Sequence, residues 1–499
     1  MNHEHSNAAR SPAAGPRPLI DAALLLAGLA ATLLGTVGFV REPRKTAAVL
    51  AVALLVVVVV VERHRLARIR FSRVAVGLLL LIPLTALIGP SLALPSHPQF
   101  FAFRVVTALA VFVIFVWLML ARGNVRFGAR RFGALFALWF GWLLVTMLWA
   151  PDKAAGFRYL AVMILMLALA AATAAAGTTS RRLRALCVLL AVAYALIVGM
   201  TVIESTLGIR LPVSRLLYGN VNVQYQVTSV FHNQNDLATY LAICWPFFFT
   251  VFFLTRRMWW WLLSLAAMAF CAMALVRTGS RSSVLAIGLE TVVAVLFFAR
   301  LGARLTSRRN KIIGVLLALV LVGGAGYLLF NNSQSDMLRQ FRLEQLVSNV
   351  QQGQGSGEIR SQLLHNGLYQ AGNYLLLGGG PGQAQALMRT SPTPTGIVDL
   401  HNWWLEVLVN GGLPATILHG LLYFGLMAAL FGIARRNADR LLRYLAASAM
   451  LALVGFMLGA LGPSSSISFA PLWVLWGVGM AVVSRAALAA RDRAPQAAP

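Results

Sequence analysis

Long apolar runs separated by short polar or basic segments dominate this sequence of 499 residues. A helix needs about 20 apolar residues to cross the hydrocarbon core, because unpaired backbone polar groups are too costly in lipid. Runs of that length recur along the chain, and they predict an all-α polytopic integral membrane protein with about 12–14 transmembrane helices. The predicted spans lie near residues 18–39, 46–61, 74–94, 103–121, 132–150, 157–176, 185–205, 236–254, 258–276, 283–299, 312–330, 412–433, 444–461 and 469–488.

The polar interval 331–411 is the main exception to this apolar pattern. It is too polar to cross a membrane, yet it is rich in helix-forming residues. The segments SQSDMLRQFRLEQLVSNVQQ (333–352) and GEIRSQLLHNGLYQAGNYLLL (357–377) carry apolar residues at roughly helical spacing, which predicts amphipathic helices lying over the membrane. The glycine-rich QQGQGSG at 351–357 is predicted to be a flexible hinge between them.

These patterns divide the chain into tails, membrane helices and one large loop, which is the main place for chemistry. The predicted parts are a cytoplasmic tail at 1–17, about eleven spans at 18–330, the loop at 331–411, the C-terminal spans at 412–488 and a second cytoplasmic tail at 489–499.

Composition agrees with a membrane protein and sets its orientation. Hydrophobic residues make up 59% of the chain, charged residues 11%, and the mean hydropathy is +0.76. The formal net charge is +27, but the basic residues fall in short clusters between apolar runs, so they indicate topology rather than nucleic-acid binding. The positive-inside rule places the N-terminus in the cytoplasm and the loop 331–411 on the opposite face.

Several arginines break this rule, because they lie in or beside the loops opposite the cytoplasm. Positive charge kept on that face suggests an anionic ligand, whereas contact with lipid headgroups or solvent is the alternative for any one of them. These residues are Arg210, Arg215, Arg277, Arg281, Arg339, Arg342, Arg360 and Arg389.

His401 opens the stretch HNWWLEVLVNGG after the long loop. Histidine exchanges a proton near neutral pH and is the commonest general base, and Glu406 is placed five residues later to orient it. The alternative is an interfacial histidine beside Trp403 and Trp404, where amphipathic side chains often sit.

Arg281 and the stretch FHNQNDLATYLAI (231–243) are further candidates. Arg281 follows Gly279 at a corner between spans, where its guanidinium fork matches phosphate oxygens; a turn-capping or snorkelling arginine is the alternative. Before the next span, Asn235 or Asp236 is predicted to cap the helix, and His232, Asn233 and Asn235 are candidates for binding sugar hydroxyls.

The run Gly378–Gly382 resembles a phosphate-binding loop only weakly, since no strand-turn-helix pattern surrounds it. It is interpreted as a tight turn that lets the backbone, at Gly380 for example, approach a substrate. The acidic residues lack metal-site spacing and the cysteines all lie in apolar runs, so neither a metal site nor a disulfide is indicated.

The order of these motifs carries a resemblance. FHNQNDLATYLAI, then TGSRSSVLAI, then IRSQLLHNGLYQAGNYLLLGGGPG and then HNWWLEVLVNGGLPATI resemble the O-antigen ligase and polymerase superfamily over roughly residues 220–420. The resemblance implies an O-antigen ligase: a C-type membrane glycosyltransferase that needs no cofactor or metal and acts on the periplasmic face of a Gram-negative inner membrane. Its donor would be a glycan on undecaprenyl diphosphate, and its acceptor lipid A-core.

The resemblance also implies roles for individual residues. His401 would be the general base of an inverting displacement, with Arg281 and Arg215 as the other catalytic residues that bind the diphosphate. The residues expected to bind substrate are Arg360, His232, Asn233, Asn235, Asn402, Glu406 and Gly380.

Alternative functions remain open on the sequence. An O-antigen polymerase usually has a second large outer loop, whereas here the other outer loop, 206–234, is short, which favours a ligase. A protein O-oligosaccharyltransferase shares the motifs and differs in its acceptor. A lipid-linked glycan transporter or flippase would place ionisable groups at mid-membrane, where Glu290 is the clearest buried charge. The other candidate residues instead gather at one membrane face.

Overall fold

A computed structural model describes residues 71–94, 97–107, 109–110, 128–217, 226–301, 307–330, 356–391 and 396–493. The chain divides into one compact unit of residues 1–75 and 111–124 and a second of residues 76–110 and 125–499. Only residues 71–75 of the first unit are described, so the account below concerns the second. The predicted spans near 18–39 and 46–61, most of that near 103–121, the tail 1–17 and the predicted helix 333–352 lie outside the described residues.

The described residues are almost entirely helical. A short antiparallel pair, β1 (Ala93–Leu94) and β2 (His97–Phe101), follows the first helix. The helices are α1 (Phe71–Ile88), α2 (Arg130–Thr146), α3 (Lys153–Ala176), α4 (Ser180–Leu207), α5 (Gln234–Phe249), α6 (Val251–Leu254), α7 (Met258–Thr278), α8 (Arg281–Leu301), α9 (Arg308–Phe330), α10 (Ser356–Asn373), α11 (Gln383–Met388), α12 (Trp403–Arg436), α13 (Arg440–Gly459) and α14 (Ala470–Arg493).

Eight of these helical stretches are long and apolar enough to cross a membrane, counted over the described residues. They are α3, α4, α5 continued by α6, α7, α8, α12, α13 and α14. The predicted spans near 132–150 and 312–330 also form helices, α2 and α9. The prediction of an all-α polytopic membrane protein is confirmed, because each predicted span within the described residues coincides with a helix.

Helix ends in this bundle follow local sequence signals. Asp152 caps α3 by accepting a hydrogen bond from the backbone N–H of Ala155 at 2.9 Å, and Thr179 caps α4 in the same way. Gly208 and Gly279 close α4 and α7 in the left-handed conformation, which glycine adopts without strain. The stop at Gly279 is what brings Arg281 to the corner between α7 and α8.

A cluster of aromatic rings packs α2, α12 and α14 together. The indoles of Trp139 and Trp473 lie parallel with their centroids 6.4 Å apart, and the ring of His419 lies 5.0 Å from that of Trp139. The Nε1–H of Trp403 donates to Nε2 of His419 at 3.1 Å. Because Trp403 is the first residue of α12, this cluster fixes the point at which the chain enters the helix after His401.

Glu290 of α8 packs into a notch on α13. Its side chain is buried, and neither carboxyl oxygen has a hydrogen-bond partner among the described residues. A Cβ atom at Gly455 would lie 1.5 Å from Glu290 Oε1, so only glycine leaves room for the carboxyl group. The contact joins two helices that approach each other closely within the membrane-spanning part of the bundle.

We therefore expect Gly455→Ala to destabilise the protein by about 1–3 kcal/mol, the usual cost of overpacking a tight core. Thermal unfolding in detergent measures the effect. Gly420→Ala on α12 is the matched control, because nothing lies within 4 Å of a Cβ there. Equal unfolding temperatures for the two variants would contradict the close α8–α13 contact.

Candidate functional site

Polar segments that are far apart in sequence meet at one end of the helices. The connection between α13 and α14, residues 460–469, lies at their centre. The side-chain Nδ2 of Asn233, before α5, donates to Ser464 Oγ at 3.1 Å. Nδ1 of His401, before α12, lies 3.4 Å from the carbonyl oxygen of Gly462. The predicted grouping of candidate residues at one face of the bundle therefore has a structural basis in these contacts.

His401 is held in a defined orientation. Its backbone lies in the left-handed region at φ 49°, which is uncommon for a residue other than glycine and frequent at functional sites. The Gly462 carbonyl can only accept a hydrogen bond, so Nδ1 of His401 carries the proton and Nε2 keeps a free lone pair. This is the tautomer that a general base acting through Nε2 requires.

The surroundings of His401 favour the neutral ring. Burial lowers the pKa of His401 below its usual 6.5; the Gly462 hydrogen bond and the charge of Asp399 oppose this shift, and the charges of Arg360 and Arg215 add to it. The net direction is downward, so the imidazole is mostly unprotonated at neutral pH. Asp399 itself accepts a hydrogen bond from Gln385 Nε2 at 2.6 Å.

Arg215 is anchored against the start of α5. It begins a short 3₁₀ turn, its Nε donates to Gln234 Oε1 at 3.1 Å, and its backbone N–H donates to the carbonyl of His232 at 3.0 Å. Partial desolvation of the guanidinium lowers the pKa of Arg215, while the nearby carboxylate of Asp236 raises it. The side chain remains exposed, so its charge is available to a ligand as well as to His401.

Arg360 and Arg281 bring two positive charges close together. Arg360 lies on α10 and Arg281 is the first residue of α8, and their guanidinium groups interact electrostatically. Both side chains are half-buried. None of the described residues forms a hydrogen bond or ion pair with Arg360. Burial of the guanidinium group lowers the pKa of Arg360. Like charges held together without a protein counter-ion at Arg360 suit a multiply charged anion.

The polar residues around the start of α5 differ in whether their side chains are hydrogen-bonded within the protein or exposed. Asn233, not Asn235 or Asp236, caps the helix: its Oδ1 accepts from the backbone N–H of Asn235 at 2.9 Å, and the predicted cap is wrong. With Nδ2 bonded to Ser464 as well, the buried Asn233 side chain is committed to the fold. His232 is exposed, with Nδ1 2.9 Å from the Val213 carbonyl oxygen.

Asn402 and Glu406 also have partners within the protein. Asn402 caps α12 by accepting from the backbone N–H of Leu405 at 3.3 Å. Glu406 is 7% exposed; its Oε1 accepts from Ser465 Oγ at 3.0 Å and its Oε2 from the Ser466 backbone N–H at 3.4 Å. Glu406 therefore bonds the α13–α14 connection, not His401 directly as the sequence suggested.

The glycine run has a packing role. The backbone N–H of Gly380 donates to the Asn410 carbonyl at 2.9 Å, and a Cβ at Gly380, where φ is +108°, would lie 2.4 Å from that of Ala150. Gly380 is buried and its N–H is already bonded, which corrects the expectation that its backbone approaches a substrate. The run instead docks against Gly412, where α12 is interrupted at φ 68° and ψ −166°.

The connection 460–469 is the part of the site that the sequence interpretation missed. It contains GPSSS at 462–466, and through Gly462, Ser464, Ser465 and Ser466 it reaches His401, Asn233 and Glu406. The available signal was a run of serines directly after an apolar span. Within the described residues, no three His, Cys, Asp or Glu side chains converge as metal ligands would.

These features define a multi-pass α-helical membrane protein with an arginine- and histidine-bearing site at one end of its helices. Residues 266–420 match the family model described as O-Antigen ligase. The match includes Arg281, Arg360 and His401, and it confirms the resemblance drawn from the motifs.

A second comparison points to the same kind of protein. The chain is 26% identical over 359 residues to the teichuronic acid biosynthesis protein TuaE of Bacillus subtilis (strain 168), in an alignment that covers 70% of each chain. Together the two matches support a glycosyltransferase of the O-antigen ligase and polymerase type.

We expect Gly412→Ala to release the glycine run from α12. A Cβ at this position would lie 2.2 Å from the Leu376 carbonyl oxygen, and its backbone conformation is almost restricted to glycine, with a cost on the order of 1–3 kcal/mol. Hydrogen–deuterium exchange should show faster uptake across residues 374–388 in this variant. Gly420→Ala, on the same helix, should leave the uptake unchanged; identical uptake in the two variants would contradict the docking.

Proposed function

We propose that this protein transfers a lipid-linked glycan to a sugar hydroxyl, as an O-antigen ligase does, with His401 as the general base. The observation that carries the proposal is the state of His401. Its Nδ1 faces the Gly462 carbonyl oxygen at 3.4 Å, and burial together with the charges of Arg360 and Arg215 lowers the pKa of His401, in a membrane protein whose residues 266–420 match the O-antigen ligase family model.

The arginines are suited to a diphosphate donor. A diphosphate is already a good leaving group, so catalysis mainly requires binding its oxygens and stabilising the charge that develops as the anomeric bond breaks. In our proposal Arg281 and Arg360 bind the diphosphate oxygens and Arg215 assists. The half-buried guanidinium of Arg360 supports this role, because it has no protein partner among the described residues and is partly desolvated.

The proposed reaction is a direct displacement. Nε2 of His401 accepts the proton of the acceptor hydroxyl, whose oxygen attacks the anomeric carbon of the donor. The bond from that carbon to the diphosphate oxygen breaks with inversion, and undecaprenyl diphosphate leaves with the bonding electrons. The proton on His401 then passes to solvent. The step requires neither a metal ion nor a covalent glycosyl-enzyme.

The proposal also specifies the acceptor and the membrane face at which transfer occurs. We assign lipid A-core as the acceptor and the periplasmic face of a Gram-negative inner membrane as the location, with 331–411 as the catalytic loop. Transfer to a growing lipid-linked chain, as in a polymerase, is the second candidate, because the relative TuaE is named for teichuronic acid biosynthesis. Grouping of the candidate residues at one end of the helices supports surface chemistry over transport.

A reconstituted transfer assay tests the proposal. Purified protein in detergent receives undecaprenyl-diphosphate-linked glycan and lipid A-core, with a chelator present. We expect lipid A-core of higher mass from the wild type, and loss of product on the order of 10²–10⁴-fold in His401→Ala, the usual contribution of a general base. Arg281→Ala should also lose transfer, through weaker binding of the diphosphate.

His365→Ala is the matched control, because His365 is exposed on α10 and belongs to the same loop. It should transfer at the wild-type rate. If the wild type makes longer lipid-linked chains but no lipid A-core product, the protein is a polymerase and not a ligase. Full activity in His401→Ala would exclude His401 as the base, and no product of either kind from wild type would favour a transporter.

The pH dependence of transfer gives a second test. The base acts when it is neutral, so kcat/KM should be constant at neutral pH and fall as the pH drops through the pKa of His401, below 6.5. Because the charge of Arg360 lowers that pKa, Arg360→Ala should move the midpoint of this fall to higher pH, by up to about one unit. A wild-type midpoint above pH 6.5, or a midpoint that stays at the same pH in Arg360→Ala, would contradict the electrostatic coupling.

A further inference from the structure

The α13–α14 connection reaches separate elements of the proposed site at once. Gly462 accepts from His401, and Ser464 accepts from Asn233 through its hydroxyl. These partners precede or begin α12 and α5. The position of the connection therefore determines how the ring of His401 is held relative to the start of α5.

Glu406 is the buried group that holds this connection on the α12 side. Its two carboxyl oxygens accept from consecutive residues, Ser465 Oγ at 3.0 Å and the Ser466 N–H at 3.4 Å. Both bonds lie a few residues from Gly462, and a fixed acceptor of two donors resists sliding or rotation of the segment. On the other side, Gly462 packs closely on Thr239 of α5, whose Oγ1 would lie 2.7 Å from an added Cβ.

We infer that Glu406 is a positioning residue for His401: through the segment 462–466 it holds the Gly462 carbonyl against Nδ1, which keeps the proton on Nδ1 and the lone pair on Nε2. The inference rests on the proposed function, in which His401 is the base, and it goes beyond it by assigning the group that sets the tautomer. Glu406 thus acts through the connection and needs no contact with the substrate.

The inference has a physical consequence that a purely structural anchor lacks. Without a fixed carbonyl acceptor, the imidazole is free to place its proton on either nitrogen, and only the form with Nε2 unprotonated can act as base. Loss of the bond therefore lowers kcat, which depends on the competent fraction, and leaves KM nearly unchanged. The Gly462 bond also raises the pKa of His401, so its loss should move the acid limb of the pH profile to lower pH.

The variants are Glu406→Ala, Glu406→Gln and Ser465→Ala in the full-length protein. Glu406→Ala removes both acceptors, and its kcat should fall by about threefold to tenfold, as the competent tautomer becomes one part of a mixture, with KM within about twofold. Glu406→Gln keeps an oxygen acceptor and should restore most of the activity. Ser465→Ala removes one bond and should be intermediate. Ser468→Ala, in the same connection and exposed, should match the wild type.

The decisive readout needs no substrate. Selective ¹⁵N labelling of the eight histidines, with His401 assigned by its absence in His401→Ala, reports which ring nitrogen carries the proton. We expect Nδ1–H at His401 in wild type and Ser468→Ala, and a mixture of tautomers in Glu406→Ala. Where Glu406→Ala fails to fold, Ser465→Ala carries the same test.

An unchanged tautomer in a variant of reduced activity would overturn the inference, as would a raised KM at constant kcat, which would make Glu406 a substrate-binding residue. Failure of the proposed function looks different: His401→Ala would retain transfer, while the tautomer of His401 could still respond to Glu406.

Discussion

The close backbone contact between the glycine run and the interruption of α12 is the constraint on which the site depends. Gly379 and Gly380 donate to the carbonyls of Val409 and Asn410, and the N–H of Leu413 donates to the Leu376 carbonyl. Irregular backbone at the end of a membrane bundle must satisfy its polar groups within the protein, and here two irregular segments satisfy each other. The segment that leads to His401 is thereby tied to the helix that follows it.

The site combines opposing electrostatic demands. Arginines near one another favour an anion but would also repel a protonated imidazole, so the same charges that suit a phosphate-bearing ligand keep His401 neutral. A base and an anion-binding group can therefore work at the same pH. Asp399 acts on His401 and Asp236 on Arg215, and both moderate this field without abolishing it, since the pKa of His401 is still lowered.

The sequence predicted most of the fold and part of the site. Hydropathy located every span that falls within the described residues, because the length and polarity required by a bilayer are local properties. The choice of Arg281, Arg360 and His401 relied on motif order, and the structure places these residues in electrostatic contact. Local patterns failed for Asn233 and Gly380, whose partners Ser464 and Ala150 lie far away in sequence. Whether a residue caps a helix, packs against another segment or binds a ligand depends on such distant partners.

Glu290 has a consequence for how the protein is made. An ionisable group within an apolar helix is costly in lipid, and its burial here depends on the notch at Gly455. That notch belongs to a helix that leaves the ribosome much later than α8. Biogenesis must therefore keep α8 in a setting that tolerates a carboxyl group until α13 arrives, which couples membrane insertion of the middle of the chain to completion of its C-terminal third.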